Sequence, residues 1–527
     1  MAKKFHVTGT CIPEKNYMVD ISNRLDTIIR EYIDEGKYFT INRARQYGKT
    51  TMLYLLERRL AGKYVVIRLS FEAADELFVS LYTLAAGLIR KIGKTLKMQG
   101  LEEAVMEQWN KPISREFPLD DLSDRISDLC QNVDKEIILM IDEVDKSSDN
   151  QVFLSFLGLL RNKYLAHQQG VDSTYKSVIL AGVYDIKNLK LKIHPQEESK
   201  YNSPWNIAVD FDIDMSFSSK DISQMLEEYE KDYQTGMDIW TVSNLIHEYT
   251  SGYPYLVSRL CQLVDEKISG TVEFSDKHKA WEREGILAAE ALLRKESNTL
   301  FDDMVKKLTE YPKLREMIQN ILFVGSSYPF NKENMLVNLG VTFGFLKEEN
   351  GTVAIANRIF ETKMYDWFLA DMAIDSDMYR AASMDKNQFI VSGMLQMNRV
   401  MEKFCSYFTE IYGNSDERFL EEQGRKLFLL YLKPIINGTG NYYVESRTRD
   451  QKRTDVIIDY KGRQFIVEMK VWRGQEYNSR GEKQLFEYLD YYGLDTGYML
   501  SFSFNKKKKA GIQEISLNGK RIIEALV

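Results

Sequence analysis

The residue types best suited to phosphate chemistry lie in residues 39–51, FTINRARQYGKTT. An apolar run enters a loop that ends in Gly48-Lys49-Thr50, and a helical pattern follows at once. Backbone N–H groups at a helix N-terminus bind anions, lysine neutralises outer phosphates, and a threonine hydroxyl can ligate Mg²⁺. We therefore expect a nucleotide to bind through the following residues: Arg43, Arg45, Gln46, Tyr47, Gly48, Lys49, Thr50 and Thr51.

A second set of chemically suitable residues follows a domain-sized interval later. Residues 135–145, KEIILMIDEVD, have the pattern of a buried parallel strand that ends in paired acids. In a P-loop ATPase, Asp142 would hold Mg²⁺ through water and Glu143 would orient or deprotonate the attacking water. Paired acids also occur at ordinary solvated strand ends, but the upstream Gly-Lys-Thr favours the ATPase. One residue departs from the G-x-x-x-x-G-K-[ST] motif, because Arg43 stands where the first glycine is usual.

A third set lies near the C-terminus, in residues 453–472, RTDVIIDYKGRQFIVEMKVW. The pattern predicts two antiparallel strands joined by a tight Lys-Gly turn. Strand side chains alternate, so Glu468 and Lys470 share one face, and pairing about the turn places Asp455 beside Glu468. Two carboxylates and a lysine so arranged can hold Mg²⁺ and polarise a phosphodiester.

This hairpin resembles the PD-(D/E)XK nuclease superfamily, in which an acidic residue is followed by Glu-x-Lys on the next strand. The resemblance implies that Asp455, Glu468 and Lys470 are catalytic. It also implies a further acid on the preceding helix, Glu421 or Glu422, of which we favour Glu422. The following helix offers Gln484, with Tyr488 one turn later, as in the Gln-x-x-x-Tyr pattern of several subfamilies. Asp-then-ExK on a hairpin is a weak pattern alone, and the two flanking helices strengthen it.

The whole chain is similar to the bacterial AAA-ATPase-like family with a C-terminal PD-(D/E)XK nuclease domain. That family also has a glycine-poor phosphate loop, and RARQYGKTT matches it with Arg43, Arg45 and Gly48-Lys49-Thr50 at corresponding places. The segments LAGVYD and SGYP are similar as well. The resemblance implies ATP and Mg²⁺ as cofactors and cleavage of DNA or RNA, without supplying a biological role.

The elements that must position these residues alternate between strand and helix. Strands are predicted at residues 38–41, 64–70, 135–145, 176–185 and 206–212, and helices at 21–34, 77–96, 119–132 and 151–168. This alternation predicts an α/β fold with a P-loop NTPase parallel sheet covered on both faces. A helical lid, a winged-helix-like segment and a PD-(D/E)XK nuclease-like α/β domain are expected to follow.

The predicted domains follow in chain order: a P-loop AAA-type ATPase core (1–215), a helical lid (216–300), a winged-helix-like domain (301–370), a linker (371–384) and a nuclease-like domain (385–527). In the winged-helix-like domain, residues 344–360 predict a hairpin with its turn at 349–351, and low basic content favours packing over DNA binding. A long helix at 387–412 is expected to open the last domain.

Segment 251–261, SGYPYLVSRLC, allows two interpretations. Arg259 belongs either to a helical lid, where it reaches the γ-phosphate, or to an ordinary capped helix, where it is solvated. The sequence does not decide between them.

Composition bounds the class of protein. The 527 residues include 44% hydrophobic and 28% charged residues and carry a net charge of −7, which is typical of a soluble multidomain protein. Residues 385–527 contain 23 Lys and Arg against 19 Asp and Glu, so we expect this region to be able to contact a nucleic-acid backbone locally, whereas the acidic remainder is not expected to coat one over its whole surface. Four scattered cysteines suggest neither disulfides nor zinc. Without an apolar stretch of about 18 residues or a signal-peptide pattern, a cytoplasmic location and no membrane partner are expected.

Three functions are compatible with these patterns. The first is an ATP-regulated, Mg²⁺-dependent nuclease acting on DNA or RNA, in genome defence or mobile-element biology by family analogy. The alternative is an ATP-dependent switch that oligomerises and binds a protein partner, its nuclease fold being non-catalytic; intact Asp455, Glu468 and Lys470 argue against it. A helicase-like motor is weakest, because no motor motifs accompany the two nucleotide-binding ones. A homo-oligomer is expected in the first two cases.

Overall fold

The computed structural model describes most of the chain, namely residues 3–147, 151–183, 205–324, 326–412, 417–436, 440–444, 455–471, 482, 485–486, 488–490, 493–503, 510–517 and 519–527. The chain divides into two compact units, each described here by itself. The first comprises residues 1–247, 252–262 and 342–344, and the second residues 248–251, 263–341 and 345–527.

The described strands, in chain order, are β1 (Lys4–Phe5), β2 (Asn16–Tyr17), β3 (Phe39–Asn42), β4 (Val65–Ser70), β5 (Ile137–Asp142), β6 (Ser177–Gly182), β7 (Leu346–Glu349), β8 (Thr352–Ile355), β9 (Ile390–Val391), β10 (Met394–Leu395), β11 (Gly440–Val444), β12 (Asp455–Tyr460), β13 (Arg463–Val471), β14 (Thr496–Phe502), β15 (Gly511–Leu517) and β16 (Lys520–Leu526).

The described helices, in chain order, are α1 (Ser22–Ile28), α2 (Lys49–Leu60), α3 (Leu81–Met98), α4 (Glu103–Trp109), α5 (Pro118–Asn132), α6 (Gln151–Gln168), α7 (Ser219–Tyr233), α8 (Ile239–Thr250), α9 (Pro254–Leu263), α10 (Lys277–Ala280), α11 (Arg283–Lys295), α12 (Thr299–Glu310), α13 (Pro312–Gln319), α14 (Met335–Thr342), α15 (Arg358–Ala373), α16 (Asp377–Asp385), α17 (Met397–Tyr412) and α18 (Glu417–Ile436).

The first unit is built on a four-stranded parallel sheet with strand order β3-β6-β5-β4. All six residues of β5 and of β6 are buried, as expected for central strands covered on both faces. Helix α3 starts with a capping box between Ser80 and Thr83 and turns a continuous apolar side toward the core. The predicted α/β fold with a parallel sheet is confirmed.

The predicted fifth strand, residues 206–212, is wrong. Only Val209 forms a bridge to Phe39, and its N–H donates to the carbonyl of Tyr38 at 2.9 Å. Beyond it, the carbonyls of Phe211 and Ile213 accept hydrogen bonds from the Arg43 guanidinium. Since a strand ladder uses alternate carbonyls of this kind, the arginine takes the acceptors that further pairing would need.

The second unit contains a six-stranded sheet with order β11-β12-β13-β14-β16-β15. Strands β11, β12 and β13 form an antiparallel meander, β14 and β16 continue in parallel, and β15 pairs antiparallel at the edge. Residues 485–486 and 488–490 are helical, and Leu485 and Leu489 pack with Ile457 and Met499 on one face of the sheet.

The hairpin of the winged-helix-like segment lies where the sequence predicts it. Strands β7 and β8 pair antiparallel, and the turn residues Asn350 and Gly351 have φ of 52° and 79°. Positive φ at both positions is the geometry of a two-residue hairpin turn of type I′.

Two segments differ from the prediction. The helix expected at 387–412 begins only at Met397, because Ser392 and Gly393 adopt positive φ and turn β9 back onto β10. Residues 371–384, expected to be a linker, lie mostly in helices α15 and α16, and Met378 and Ala382 of α16 are buried. The domain boundaries themselves stay predictions.

Candidate functional site

The phosphate loop joins β3 to α2 and ends at the first helical residue. Gln46 and Gly48 have φ of 54° and 82°, so the chain turns twice through the left-handed region before Lys49. Glycine is suited to this conformation at Gly48 because it has no Cβ. The turn brings successive N–H groups to the start of α2, an arrangement that binds anions.

Lys49 is the buried cation of this loop. The residue is 8% exposed, and Nζ donates to the carbonyls of Arg43 and Ala44, each at 2.8 Å. Burial lowers the pKa of Lys49, while the nearby charges of Asp145, Glu143 and Asp142, in that order, oppose the shift. The ammonium is therefore held inside the loop by two of the loop's own carbonyls.

Thr50 and Asp142 lie together, as the two motifs predict. The Thr50 hydroxyl donates to Asp142 Oδ2 at 2.8 Å, and Asp142 Oδ1 accepts the N–H of Glu143 at 3.0 Å. Glu143 has φ of 59°, a left-handed conformation that costs a non-glycine residue about 1 kcal/mol. Such strain is common where a side chain must be aimed at a reacting group.

Other predicted loop residues make contacts of a different kind. The Arg43 guanidinium donates to the carbonyls of Asn42, Phe211 and Ile213 at 2.9, 3.2 and 2.8 Å, and burial lowers its pKa. The Thr51 hydroxyl accepts the N–H of Cys11 at 3.1 Å. In the described structure both residues therefore brace the loop, and a direct nucleotide contact for them stays a prediction.

A tyrosine of the SGYP segment also contacts the loop. The Tyr253 hydroxyl donates to the carbonyl of Arg45, and its ring packs edge-on against Tyr47 with centroids 4.7 Å apart. Burial raises the pKa of Tyr47 to about 12, so this ring stays neutral. The sequence shows Tyr253 only as part of a helix-start motif, and its contact with residues some 200 positions earlier could not be read from it.

Arg259 lies in α9 and donates to Gln262 Oε1 at 2.6 Å. This contact is within its own helix. The choice between a lid arginine and an ordinary helix residue stays open.

The C-terminal hairpin has the register that the sequence predicts. Asp455 pairs with Glu468, and the two-residue turn between Tyr460 and Arg463 fixes that register. Lys470 Nζ lies 3.2 Å from Glu468 Oε1, with side-chain exposures of 8% and 0%. The side chains of Asp455 and Glu422, and residue Gln484 altogether, lie outside the described part of the structure, so their roles stay predictions.

Neighbouring strands extend this polar face in a way the sequence did not indicate. Lys470 is in register with Ser501 on β14, and Glu468 with Met499, which in turn pairs with Glu524 on β16. The Ser501 hydroxyl donates to the buried Glu524 carboxylate at 2.5 Å. In the sequence, this extension is indicated only by Glu524, the single acid of the strand KRIIEAL.

The acidity of this face also affects the helix above it. Burial, followed by the charge of Glu524, raises the pKa of Glu482.

Among the described residues, no three His, Cys, Asp or Glu side chains are grouped so as to hold a metal ion. The Asp455 side chain lies outside the described part of the structure and is not covered by this statement. Within the same part of the chain, no helix is both long and apolar enough to cross a bilayer.

Fold and site together define a class of protein: an α/β nucleotide-binding fold in which a phosphate loop follows one strand of a parallel sheet and paired acids follow another. The chain belongs to the AAA-like domain family, whose profile matches residues 13–365. This match gives an ATPase-like domain that covers more than half of the chain. No curated protein sequence matches the chain at a significant level.

Several solved structures are similar in part. A Walker-type ATPase of Pyrococcus abyssi is 14% identical with a TM-score of 0.42, covering 68% of this chain and 99% of its own. The ORC2 protein of Aeropyrum pernix, in ADPNP and ADP complexes, is 11% identical with a TM-score of 0.37, covering 70% and 98%. The RuvB Holliday junction branch migration motor of Thermotoga maritima is 13% identical with a TM-score of 0.32, covering 64% and 92%. At these values the similarity carries no further conclusion.

Proposed function

We propose that the chain binds and hydrolyses ATP at the phosphate loop, and that the ATP state controls a metal-dependent phosphodiesterase in the C-terminal region. One observation carries the ATP part: Thr50 Oγ1 and Asp142 Oδ2 lie 2.8 Å apart beside the buried Lys49. A hydroxyl, a carboxylate and a buried ammonium so placed match what a nucleotide with its cation requires.

Each of these groups has a task that follows from its chemistry. Lys49 now donates to two neutral carbonyls, and phosphate oxygens are stronger acceptors that would replace them. Thr50 and Asp142 would hold Mg²⁺, which usually takes one or two carboxylates and completes its shell with phosphates and water. When bound, the ion neutralises charge on the β- and γ-phosphates. Glu143 accepts a proton from the attacking water.

ATP turnover with Mg²⁺ tests this part. We expect Lys49→Ala to weaken ATP binding by on the order of 100-fold, and Glu143→Gln to keep binding but lose turnover by on the order of 100-fold or more. The exposed Glu136, just before β5, supplies a matched control, and Glu136→Gln should keep both properties. Turnover unchanged in Glu143→Gln would contradict the proposed base.

The observation favouring a phosphodiesterase is the pairing of Asp455 with Glu468 beside the Lys470–Glu468 ion pair. Carboxylate oxygens on adjacent strands are suitable ligands for Mg²⁺, so Asp455 and Glu468 would hold the ion. When bound, it polarises a phosphodiester. Lys470 would position the attacking water or stabilise the charge of the transition state. Glu422 and Gln484 are proposed to complete this site.

Cleavage of linear, circular and single-stranded DNA and RNA with Mg²⁺ tests the second part. We expect Asp455→Asn to abolish cleavage, whereas Asp490→Asn, which alters a 60% exposed acid of the same unit, should cleave normally. Equal cleavage by both variants would point to a contaminating nuclease and refute the proposal.

Nucleic acid is the proposed partner of the C-terminal region rather than of the winged-helix-like segment. Helix α14, MLVNLGVT, contains no basic residue, and β7 ends in two glutamates. A surface of this charge does not suit a phosphate backbone. The setting we propose is genome defence or mobile-element biology in a homo-oligomer. The alternative, a partner-binding switch, predicts ATP turnover without cleavage.

A further inference from the structure

Asp145 is an acid of the nucleotide site that has no role in the proposal above. It lies in the short 3₁₀ turn Val144–Ser147 that follows Glu143. Its Oδ1 accepts the N–H of Val183 at 3.0 Å, immediately after β6. Strand β6 lies between β3, which leads into the phosphate loop, and β5, which leads into the paired acids. The Asp145 side chain therefore extends from the loop after β5 to the carboxyl end of β6.

Gly182, the last residue of β6, shows where this carboxylate lies. A Cβ added at Gly182 would be 2.6 Å from Asp145 Oδ1 and 3.0 Å from Val144 Cγ2. The Asp145 carboxylate thus fills the space that a side chain at the end of β6 would occupy. The carboxyl end of β6 is thus covered by a carboxylate from the loop that follows the neighbouring strand β5.

The same carboxylate acts on the phosphate-loop lysine. Of the three acids whose charge favours the protonated form of Lys49, Asp145 has the largest effect, ahead of Glu143 and Asp142. Because β6 lies between the strand that leads into the phosphate loop and the strand that ends in the paired acids, Asp145 lies at the edge of the sheet where the phosphates would be bound. Glu143, two residues earlier, follows β5 at the same edge.

We propose that Asp145 is a second acceptor for the attacking water in ATP hydrolysis, an inference that rests on the proposed ATPase function. The oxygen of water bonds to the γ-phosphorus while the bond to the β–γ bridging oxygen breaks, giving ADP and inorganic phosphate. One proton of the water passes to Glu143. The other O–H donates to the Asp145 carboxylate, which is held over Gly182 by the Val183 N–H and is unchanged by the reaction.

Asp145→Asn tests this assignment with little change of shape. The amide oxygen can still accept the Val183 N–H, but the amide nitrogen is a donor and cannot accept from water. We expect kcat for ATP hydrolysis to fall by about 10- to 100-fold. The Kd for ATP should be no higher than in the wild type, because the substitution removes a negative charge near the γ-phosphate. The exposed Asp124 of α5 gives the control, and Asp124→Asn should stay within about twofold in both.

Three outcomes would overturn the inference. The first is a kcat for Asp145→Asn within twofold of the wild type, although the wild type turns over ATP. The second is an equal loss of kcat and ATP affinity with a lower unfolding temperature, which would make Asp145 a purely structural residue. The third, no turnover by the wild type, would refute the ATPase proposal itself and this inference with it.

Discussion

Arg43→Ala should release the segment around residue 211 from the parallel sheet. Arg43 stands where phosphate loops usually have a glycine, and its guanidinium donates to the carbonyls of Phe211 and Ile213 at 3.2 and 2.8 Å. Its guanidinium carbon also lies 5.4 Å from the centroid of the Phe211 ring. The segment is also held by the bridge of Val209 to Phe39 and by the Phe211 ring, which stacks on Phe39 with centroids 5.8 Å apart, so the arginine supplies the described hydrogen bonds between this segment and the phosphate loop.

The size of the effect follows from these contacts. A hydrogen bond to a charged group contributes about 1.5–3 kcal/mol. Because Arg43 is partly exposed to water, which weakens such bonds, the lower value applies to each. The two bonds to the segment then contribute about 3 kcal/mol, while the third, to Asn42, is local and does not count. Since 1.4 kcal/mol is tenfold, local opening of the segment should become about 100-fold more frequent.

Amide hydrogen exchange of residues 205–215 measures that opening directly. The N–H of Val209, which donates to the Tyr38 carbonyl, should exchange about 100-fold faster in Arg43→Ala. Arg45→Ala removes an exposed arginine from the same loop and should change exchange there less than about threefold. Equal protection in Arg43→Ala and the wild type would refute the bracing role.

Further predictions concern both units. Lys49→Ala should weaken ATP binding by on the order of 100-fold, measured by nucleotide fluorescence, while the C-terminal region stays folded by limited proteolysis; unfolding of both regions would contradict two independent modules. Lys470→Met should destabilise the second unit by about 3–5 kcal/mol in urea unfolding, because it leaves the Glu468 charge buried without its lysine, and an unchanged midpoint would refute the ion pair's importance. Although burial acts to raise it, hydrogen bonds from Lys163 and Ser127 lower the pKa of Asp172, so its contribution is full above the unfolded pKa of about 4 and is lost as pH falls through the lower folded pKa. Thermal unfolding from about pH 5 to 2 should show this loss, and the loss should be smaller in Asp172→Asn, in which other carboxylates with a lowered pKa, such as Asp34, remain.

The sequence was sufficient where local chemistry decides the structure. Gly48 and Lys49 identify the phosphate loop because only a glycine turn before a helix suits that geometry. The Lys461-Gly462 turn fixes the hairpin register, since both residues take positive φ, and the pairing of Asp455 with Glu468 follows.

The sequence was insufficient where partners are distant along the chain. Asp145 reads as one more acid after a strand, and its contact with Val183 depends on β6 lying beside β5. The motif around Arg43 likewise gives no sign of its hydrogen bonds to the carbonyls of residues 211 and 213. These contacts arise from strand order and packing, which no local pattern encodes.

ATP control of cleavage is the central claim, and one measurement tests it most directly. Cleavage rates of the best nucleic-acid substrate are compared at saturating ATP and Mg²⁺ for the wild type, Glu143→Gln and Asp455→Ala. We predict that Glu143→Gln, which retains ATP, changes the rate at least about tenfold, and that Asp455→Ala abolishes cleavage while ATP turnover continues. Cleavage that is the same in wild type and Glu143→Gln, with or without ATP, or no cleavage at all beside intact ATP turnover, would contradict the claim.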